Sequence, residues 1–310
     1  MKILLTGGAG YVGTALIPQL LQKNYKVHVL DNLTFGGDPL LSFFRNKNFT
    51  FQKGDIRSMS DVKKAIKDID VIIHLAAIVG FPACRKEPQL AKEVNIGGTK
   101  NIVKAASKNQ HIFFASTGSN YGAVLDEACT EETPLNPLSL YGQTKTIAEK
   151  YITNNHSNST IFRFATAFGL SPRLRLDLMI NDFVYRALTQ QYLVIYEKNF
   201  MRTFIHVHDM GRSFLFGIDN NKKMHGQAYN VGSEKMNFSK EEICNLVSKF
   251  TKCYVHYADV GEDADKRNYV VSYDKIRKLG YQTTVGIEEG INELVRALPT
   301  IKAQTPYGNI

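Results

Sequence analysis

The chain has 310 residues, of which 44% are hydrophobic and 22% charged; it has no tryptophan, and 38 Lys and Arg stand against 29 Asp and Glu, a net charge of +9. That apolar fraction excludes an unfolded coil, and at roughly 150 residues per domain the length allows two domains or one large α/β domain with an appended lobe. Cys84, Cys129, Cys244 and Cys253 are too few for a disulfide scaffold, and without a CxxC pair or a histidine at ligand spacing they indicate reduced thiols and no metal site. The basic excess leaves nucleic acid, a phosphorylated metabolite or a membrane surface open as anionic partners.

In chain order, the first half alternates β-branched runs with helical spacing, the pattern of a doubly wound parallel sheet with helices on both faces. Lys2–Leu5, Lys26–Leu30, Phe49–Phe51, Asp70–His74, His111–Ala115 and Thr160–Phe164 are predicted strands. Tyr11–Lys23, Ser60–Lys67, Glu87–Lys108 and Tyr141–Asn154 are predicted helices. After Gly169 the alternation stops. A helix over Leu178–Leu188 and short strands at Leu193–Tyr196, Thr203–His206 and Ala228–Val231 predict a smaller α+β lobe. The expected organisation is a Rossmann-type domain over 1–168, to which later strands can return, and a mainly substrate-binding lobe over 169–310. Met1–Leu5 is too short for a signal-peptide core, and the longest apolar run, Val71–Phe81, falls below the ~18 residues of a membrane span. A cytoplasmic protein with no membrane partner is expected.

Gly7, Gly10 and Gly13 form a GxxGxxG turn directly after the first strand and at the mouth of a helix, where outward-facing amides can receive a pyrophosphate. Asp31 ends the second strand about 20 residues later, placed to accept ribose hydroxyls and to repel a 2′-phosphate. Asp55, ending the third strand, can accept from an adenine amino group; alone it would read as a helix N-cap. Together these residues imply NAD rather than NADP. Further along, Tyr141 and Lys145 stand four apart on one helix face. An adjacent ammonium favours the phenolate, which can take a hydroxyl proton while hydride leaves the same carbon.

At this point the chain resembles the extended short-chain dehydrogenase/reductases, the NAD-dependent nucleotide-sugar epimerases and dehydratases. The resemblance runs through TGGAGYVG at 6–13, DNL at 31–33, GDI at 54–56, HLAA at 74–77, VNIGGT at 94–99, ASTGSNYG at 115–122, YGQTK at 141–145, ATAFG at 165–169, RTFIHVHD at 202–209 and DKRNYVVS at 265–272. It implies that Tyr141 is the acid–base group, with Lys145 holding the nicotinamide ribose and Thr117 bonding the reacting sugar oxygen. It implies cofactor contacts from Gly7, Gly10, Tyr11, Val12, Gly13, Asp31, Asn32, Asp55, Ile56, Leu75, Ala76 and Asn95, besides Tyr141 and Lys145. Substrate contacts are expected from Val79, Thr117, Ser119, Asn120, Arg173, Arg175, Asn181, Arg202 and Arg267. The arginines suit a sugar-linked pyrophosphate. Asn181 reaches that group or caps its helix. His206, His208 and Asp209 read as a core strand with a capping Asp rather than a metal site.

Departures from the family pattern narrow the chemistry. Dehydratases carry an Asp–Glu pair after the Thr; here Gly118 and Ser119 stand there, which disfavours elimination. Ser119 also replaces the cysteine of epimerase-reductases acting at C3 and C5. Redox at C4 of a nucleotide-diphosphate sugar remains. The segments at 80–85, 168–178 and 261–272 resemble bacterial GDP-heptose 4-dehydrogenases of capsule polysaccharide pathways. A 4-epimerase and a catalytically inactive nucleotide-sensing relative are the alternatives. The resemblance implies a homodimer joined through the helices at 87–108 and 141–154. No nucleic-acid partner is expected, because aromatic residues are not interleaved with basic patches.

Overall fold

A computed structural model of the chain describes residues 1–124, 127–258 and 268–301. The elements run β1 (Lys2–Thr6), α1 (Tyr11–Gln22), β2 (Lys26–Asp31), β3 (Phe49–Lys53), α2 (Met59–Ala65), β4 (Val71–His74), α3 (Phe81–Lys86), α4 (Pro88–Lys92), α5 (Thr99–Ala105), β5 (His111–Thr117), α6 (Leu140–Asn155), β6 (Ser159–Phe164) and β7 (Thr166–Phe168). They continue as α7 (Met179–Gln190), β8 (Tyr192–Ile195), β9 (Met201–His206), α8 (Val207–Asp219), α9 (Asn221–Met224), β10 (Gln227–Val231), β11 (Asn237–Ser239), α10 (Lys240–Thr251), β12 (Tyr254–Tyr257), α11 (Asp274–Lys278) and α12 (Ile287–Ala297).

Runs such as KILLT and VIIH are apolar on both faces because the sheet they build is covered on both. The sheet has seven strands in the order β10-β6-β5-β4-β1-β2-β3, every pair parallel. Leu5, Val29, Ile73, Phe113 and Phe162 pack into one apolar layer with Leu16, Leu20 and Phe214 from α1 and α8. Leu4, Ile72, Ile112 and Ile161 face the other way, against Val62, Ile102, Ala148 and Ile152 from α2, α5 and α6. Connections leave β1 and β4 toward opposite sides, so a crevice opens beyond the carboxyl ends of these two neighbours, where ligands of such sheets bind.

Two expectations are corrected. Ala228–Val231, predicted in the small lobe, is the end of β10, which pairs with β6 and makes the seventh strand. Its Tyr229 and Val231 enter the same layer as Phe162 and Phe164, which fixes it on the large sheet. The helix predicted over Glu87–Lys108 is broken into α4, a π-helical turn at Glu93–Gly98 and α5. Gly98 in that turn lets the helix lie close against Ile56: a Cβ on it would stand 2.4 Å from Ile56 Cδ1.

A second apolar cluster joins Phe168, Leu174, Ile180, Val184, Phe204, Ile243, Ile291 and Leu294. It packs on a three-stranded sheet ordered β11-β9-β7, beside the pair β12-β8. Among the described residues no helix is long and apolar enough to cross a membrane.

Candidate active site

A cavity of about 410 Å³ runs from the glycine turn across the carboxyl ends of the sheet to the start of α6. Gly7 has φ +72°, and a Cβ there would lie 2.7 Å from Ala76 Cα; one on Gly13 would lie 2.5 Å from the Gly8 carbonyl oxygen. Glycine is therefore required twice, once for backbone conformation and once for close packing. Gly10 caps α1 with no side-chain acceptor, so the first amides of the helix are left for a ligand. Val12 lines the cavity. Tyr11 also lines it, but its buried hydroxyl turns away and donates to the Gly169 carbonyl at 2.7 Å.

Asp31, Asn32, Asp55, Ile56, Leu75 and Ala76 line the same cavity. The Asp31 carboxylate is held by the Ala9 and Leu33 amides at 2.9 and 2.8 Å; burial raises its pKa and these amides oppose the rise. Asp55 does not cap a helix, a role taken by Ser58. Burial works against its charge, but the Arg57 guanidinium, bonded to it at 2.8–3.1 Å, holds its carboxyl below the usual range. Arg57 lines the cavity and was not anticipated.

At the other end, Ser139 caps α6 and sets Tyr141 in its first turn, half-buried on the cavity wall. Lys145, one turn on, is 3% exposed, with Nζ 3.9 Å from the centre of the Phe114 ring. Burial pushes its pKa down to about 7, with Glu149 pulling the other way. Thr117 ends β5 facing the cavity; its Oγ1 accepts the Ser119 amide proton and donates to Ser119 Oγ, each at 3.1 Å. Ser119 and Val79 line the wall beside it. Above Gly118, where a Cβ would stand 3.2 Å away, lies the hydroxyl of Tyr269, another lining residue unread in the sequence.

Beneath the pair, Glu149 is 4% exposed and accepts from Ser116 Oγ at 2.6 Å, Asn120 Nδ2 at 3.1 Å and the Arg163 guanidinium at 2.6 and 3.0 Å. Its signal was available: it continues the Tyr141–Lys145 spacing by another four residues.

Arg173 and Arg175, 4% and 8% exposed, both reach the cavity while Leu174 between them enters the second apolar cluster. Arg175 pairs with Asp177 at 2.5 Å, and the Arg173 guanidinium lies 4.2 Å from the centre of the Phe35 ring. Burial and the neighbouring Arg175 push the Arg173 pKa down to about 10.

Four expected ligands do not line the cavity. Asn95 binds the Ile78 amide and carbonyl at 2.8 and 3.0 Å and Thr144 Oγ1 at 3.0 Å, bracing the loop after β4 against α6. Asn120 points to Ser116 and Glu149 at 3.0 and 3.1 Å. Asn181 does not cap α7; it bonds the Gly169 amide and carbonyl and the Arg175 carbonyl. Arg202 is buried in β9, donating to the Met201 carbonyl at 3.1 Å. Arg267 lies outside the described residues. His206, not Asp209, caps α8, while Asp209 holds Thr284 and Val285. No cluster of three metal-ligating side chains occurs among the described residues.

An elongated crevice floored by glycines suits a dinucleotide, and a phenol one helical turn from a buried lysine suits proton exchange with an alcohol: the class is a dinucleotide-dependent α/β enzyme. The chain belongs to the NAD dependent epimerase/dehydratase family, whose sequence model matches residues 3–232. It is 26% identical over 337 residues to CDP-paratose 2-epimerase of Salmonella typhi, covering 95% of this chain and 98% of that protein. It is 27% identical over 328 residues to Protein CapI of Staphylococcus aureus, covering 95% and 97%. Among solved structures, UDP-glucuronic acid 4-epimerase from Bacillus cereus, in complex with UDP-glucuronic acid and NAD, superposes with a TM-score of 0.86 at 27% identity, covering 96% of this chain and 99% of that one. The cradle fits the family's cofactor, since the first turn of α1 has no side-chain cap over its amides and the fixed Asp31 carboxylate suits free ribose hydroxyls.

Proposed function

We propose that the chain is a nucleotide-sugar oxidoreductase acting at C4, with GDP-heptose as its substrate in surface polysaccharide precursor synthesis. The observation that carries the chemistry is the convergence of Thr117, Tyr141 and Lys145 on one cavity with the glycine turn, with no carboxylate at 118 or 119. Thr117 and Ser119 orient the sugar. Tyr141 accepts the C4 hydroxyl proton as the C4 hydrogen leaves with its electron pair, giving a ketone, and the Lys145 ammonium stabilises the phenolate. Bound NAD supplies the acceptor for that hydride. Residues 1–168 chiefly hold the cofactor and 169–310 the nucleotide sugar, with Arg175 facing a phosphate. The heptose assignment is supported by the resemblance at 80–85 and 168–178.

A second reading, 4-epimerisation, is supported by the epimerase relatives: the ketone turns in the cavity and takes hydride back on its other face, Tyr141 returning the proton. Incubating the full-length protein with UDP-, CDP-, dTDP- and GDP-linked hexoses and with GDP-heptose separates the two. A keto-sugar with matching reduced nicotinamide supports oxidation; an epimer with no net reduction supports the second reading. No turnover of any of them, or full activity in Tyr141→Phe, overturns both. We also infer a homodimer through α5 and α6, supported by Ile147, which is 46% exposed on α6. Light scattering showing a monomer at micromolar concentration would refute it.

A further inference from the structure

The turn that follows β3 is held from two sides. The Arg57 amide donates to Asp55 Oδ1 at 2.8 Å, its Nε donates to both carboxylate oxygens at 3.1 Å, and its Nη2 donates to Oδ2 at 2.8 Å. On another edge of the guanidinium, Nη1 reaches Glu93 Oε2 at 3.5 Å, at the start of the π-helical turn. Asn101 Nδ2, on α5, donates to the Ile56 and Arg57 carbonyls at 3.0 and 2.8 Å. The backbone of the turn is thus set by Asn101, and the Asp55 side chain by Arg57.

Asp55, Ile56 and Arg57 line the cavity together with the apolar Leu30, Leu90 and Val94. In such a slot a base is told from its analogues by the few polar groups that meet its edge. Burial opposes the Asp55 charge and the Arg57 guanidinium outweighs it, so the carboxyl is held below its usual range, ionised and acceptor-only. Asn32 Nδ2 stands off at 3.4 Å from Oδ2, which leaves that oxygen room for a further donor. A carboxylate free to rotate could turn away from an opposing keto oxygen. One gripped along its edge by a planar fork cannot.

We propose that Arg57 is a positioning residue for base recognition: by fixing the Asp55 carboxylate it makes the cavity select an adenine amino group against a 6-oxo purine. This role rests on the reading of the cavity as a dinucleotide site. Arg57 acts through Asp55, and because its side chain is 41% exposed, removing it costs the fold little.

The test titrates full-length, cofactor-free protein calorimetrically with NAD and with nicotinamide hypoxanthine dinucleotide, in which a keto oxygen replaces the adenine amino group. Wild type is expected to prefer NAD roughly ten-fold or more, the scale of a hydrogen bond to a charged acceptor. Arg57→Ala narrows that preference about three-fold or more, as the released carboxylate turns from the keto oxygen. Asp55→Asn narrows it as well, and adding Arg57→Ala to Asp55→Asn changes the ratio no further, since both act through one carboxylate. Arg57→Lys, which keeps the charge and loses the fork, also narrows it. Equal weakening of both dinucleotides in Arg57→Ala, with the ratio intact, would mark a direct or purely structural contact and overturn the proposal, as would a wild-type ratio in Arg57→Lys. A wild-type protein that bound both dinucleotides equally would overturn it and leave the cofactor reading standing; one that bound neither would overturn both.

Discussion

Replacing Glu149 by glutamine keeps the side chain's size and removes its charge. The carboxylate and Arg163 form an ion pair at 2.6 Å whose side chains are 5% and 8% exposed. Removing one partner of such a pair costs about 3–5 kcal/mol, because the survivor is left charged in a low-dielectric site. Arg163 keeps the Tyr121 hydroxyl at 3.1 Å and the Glu131 carbonyl at 2.9 Å, which favours the lower end. A loss of about 3 kcal/mol corresponds to a fall in melting temperature of about 5 °C for a chain of this length. Chemical denaturation measures it, and the cycle Glu149→Leu, Arg163→Met and both together isolates the pair: the double variant regains at least half of the single losses. Since Ser116 and Asn120 hang on the same carboxylate and flank Thr117 and Ser119, kcat falls more than KM rises. A Glu149→Gln protein within about 1 kcal/mol of wild type, or additivity in the cycle, would refute the reasoning.

Lys145 binds its proton more weakly when folded, at about 7 against an ordinary 10.5. The unfolded chain holds more protons between these values, so stability rises with pH through that window; Lys145→Met should flatten the rise in urea midpoints of cofactor-free protein between about pH 7 and about pH 9.5. Gly13→Ala forces a Cβ to 2.5 Å from the Gly8 carbonyl oxygen, and calorimetry should show NAD binding abolished with a stability loss of about 1–3 kcal/mol. Asp31→Asn should weaken NAD roughly tenfold and narrow the preference over NADP, as read by paired titrations; an unaltered preference would separate Asp31 from the ribose.

What could be read from the residues was whatever is local. Buried parallel strands announce themselves as apolar runs, and the glycine turn, Asp31 and the Tyr141–Lys145 pair depend on short spacings within single elements. The strand at Ala228–Val231 was legible, but its place on the large sheet escaped because its partner β6 is supplied by distant sequence. The asparagines at 95, 120 and 181 have the chemistry of ligands, yet each bonds backbone or side-chain groups of the protein. Type and spacing do not tell which way an amide turns.

The late arrival of β10 has a consequence for synthesis. β6 emerges from the ribosome about sixty residues before its edge partner, an interval of several seconds at roughly 5–20 residues per second. Through that interval the nascent sheet ends in an unpaired parallel edge flanked by Ile161, Phe162 and Phe164, a template for pairing with another chain. A fragment stopped at residue 168 would carry that edge permanently, and it is expected to self-associate where the full chain does not, as light scattering of the two would show.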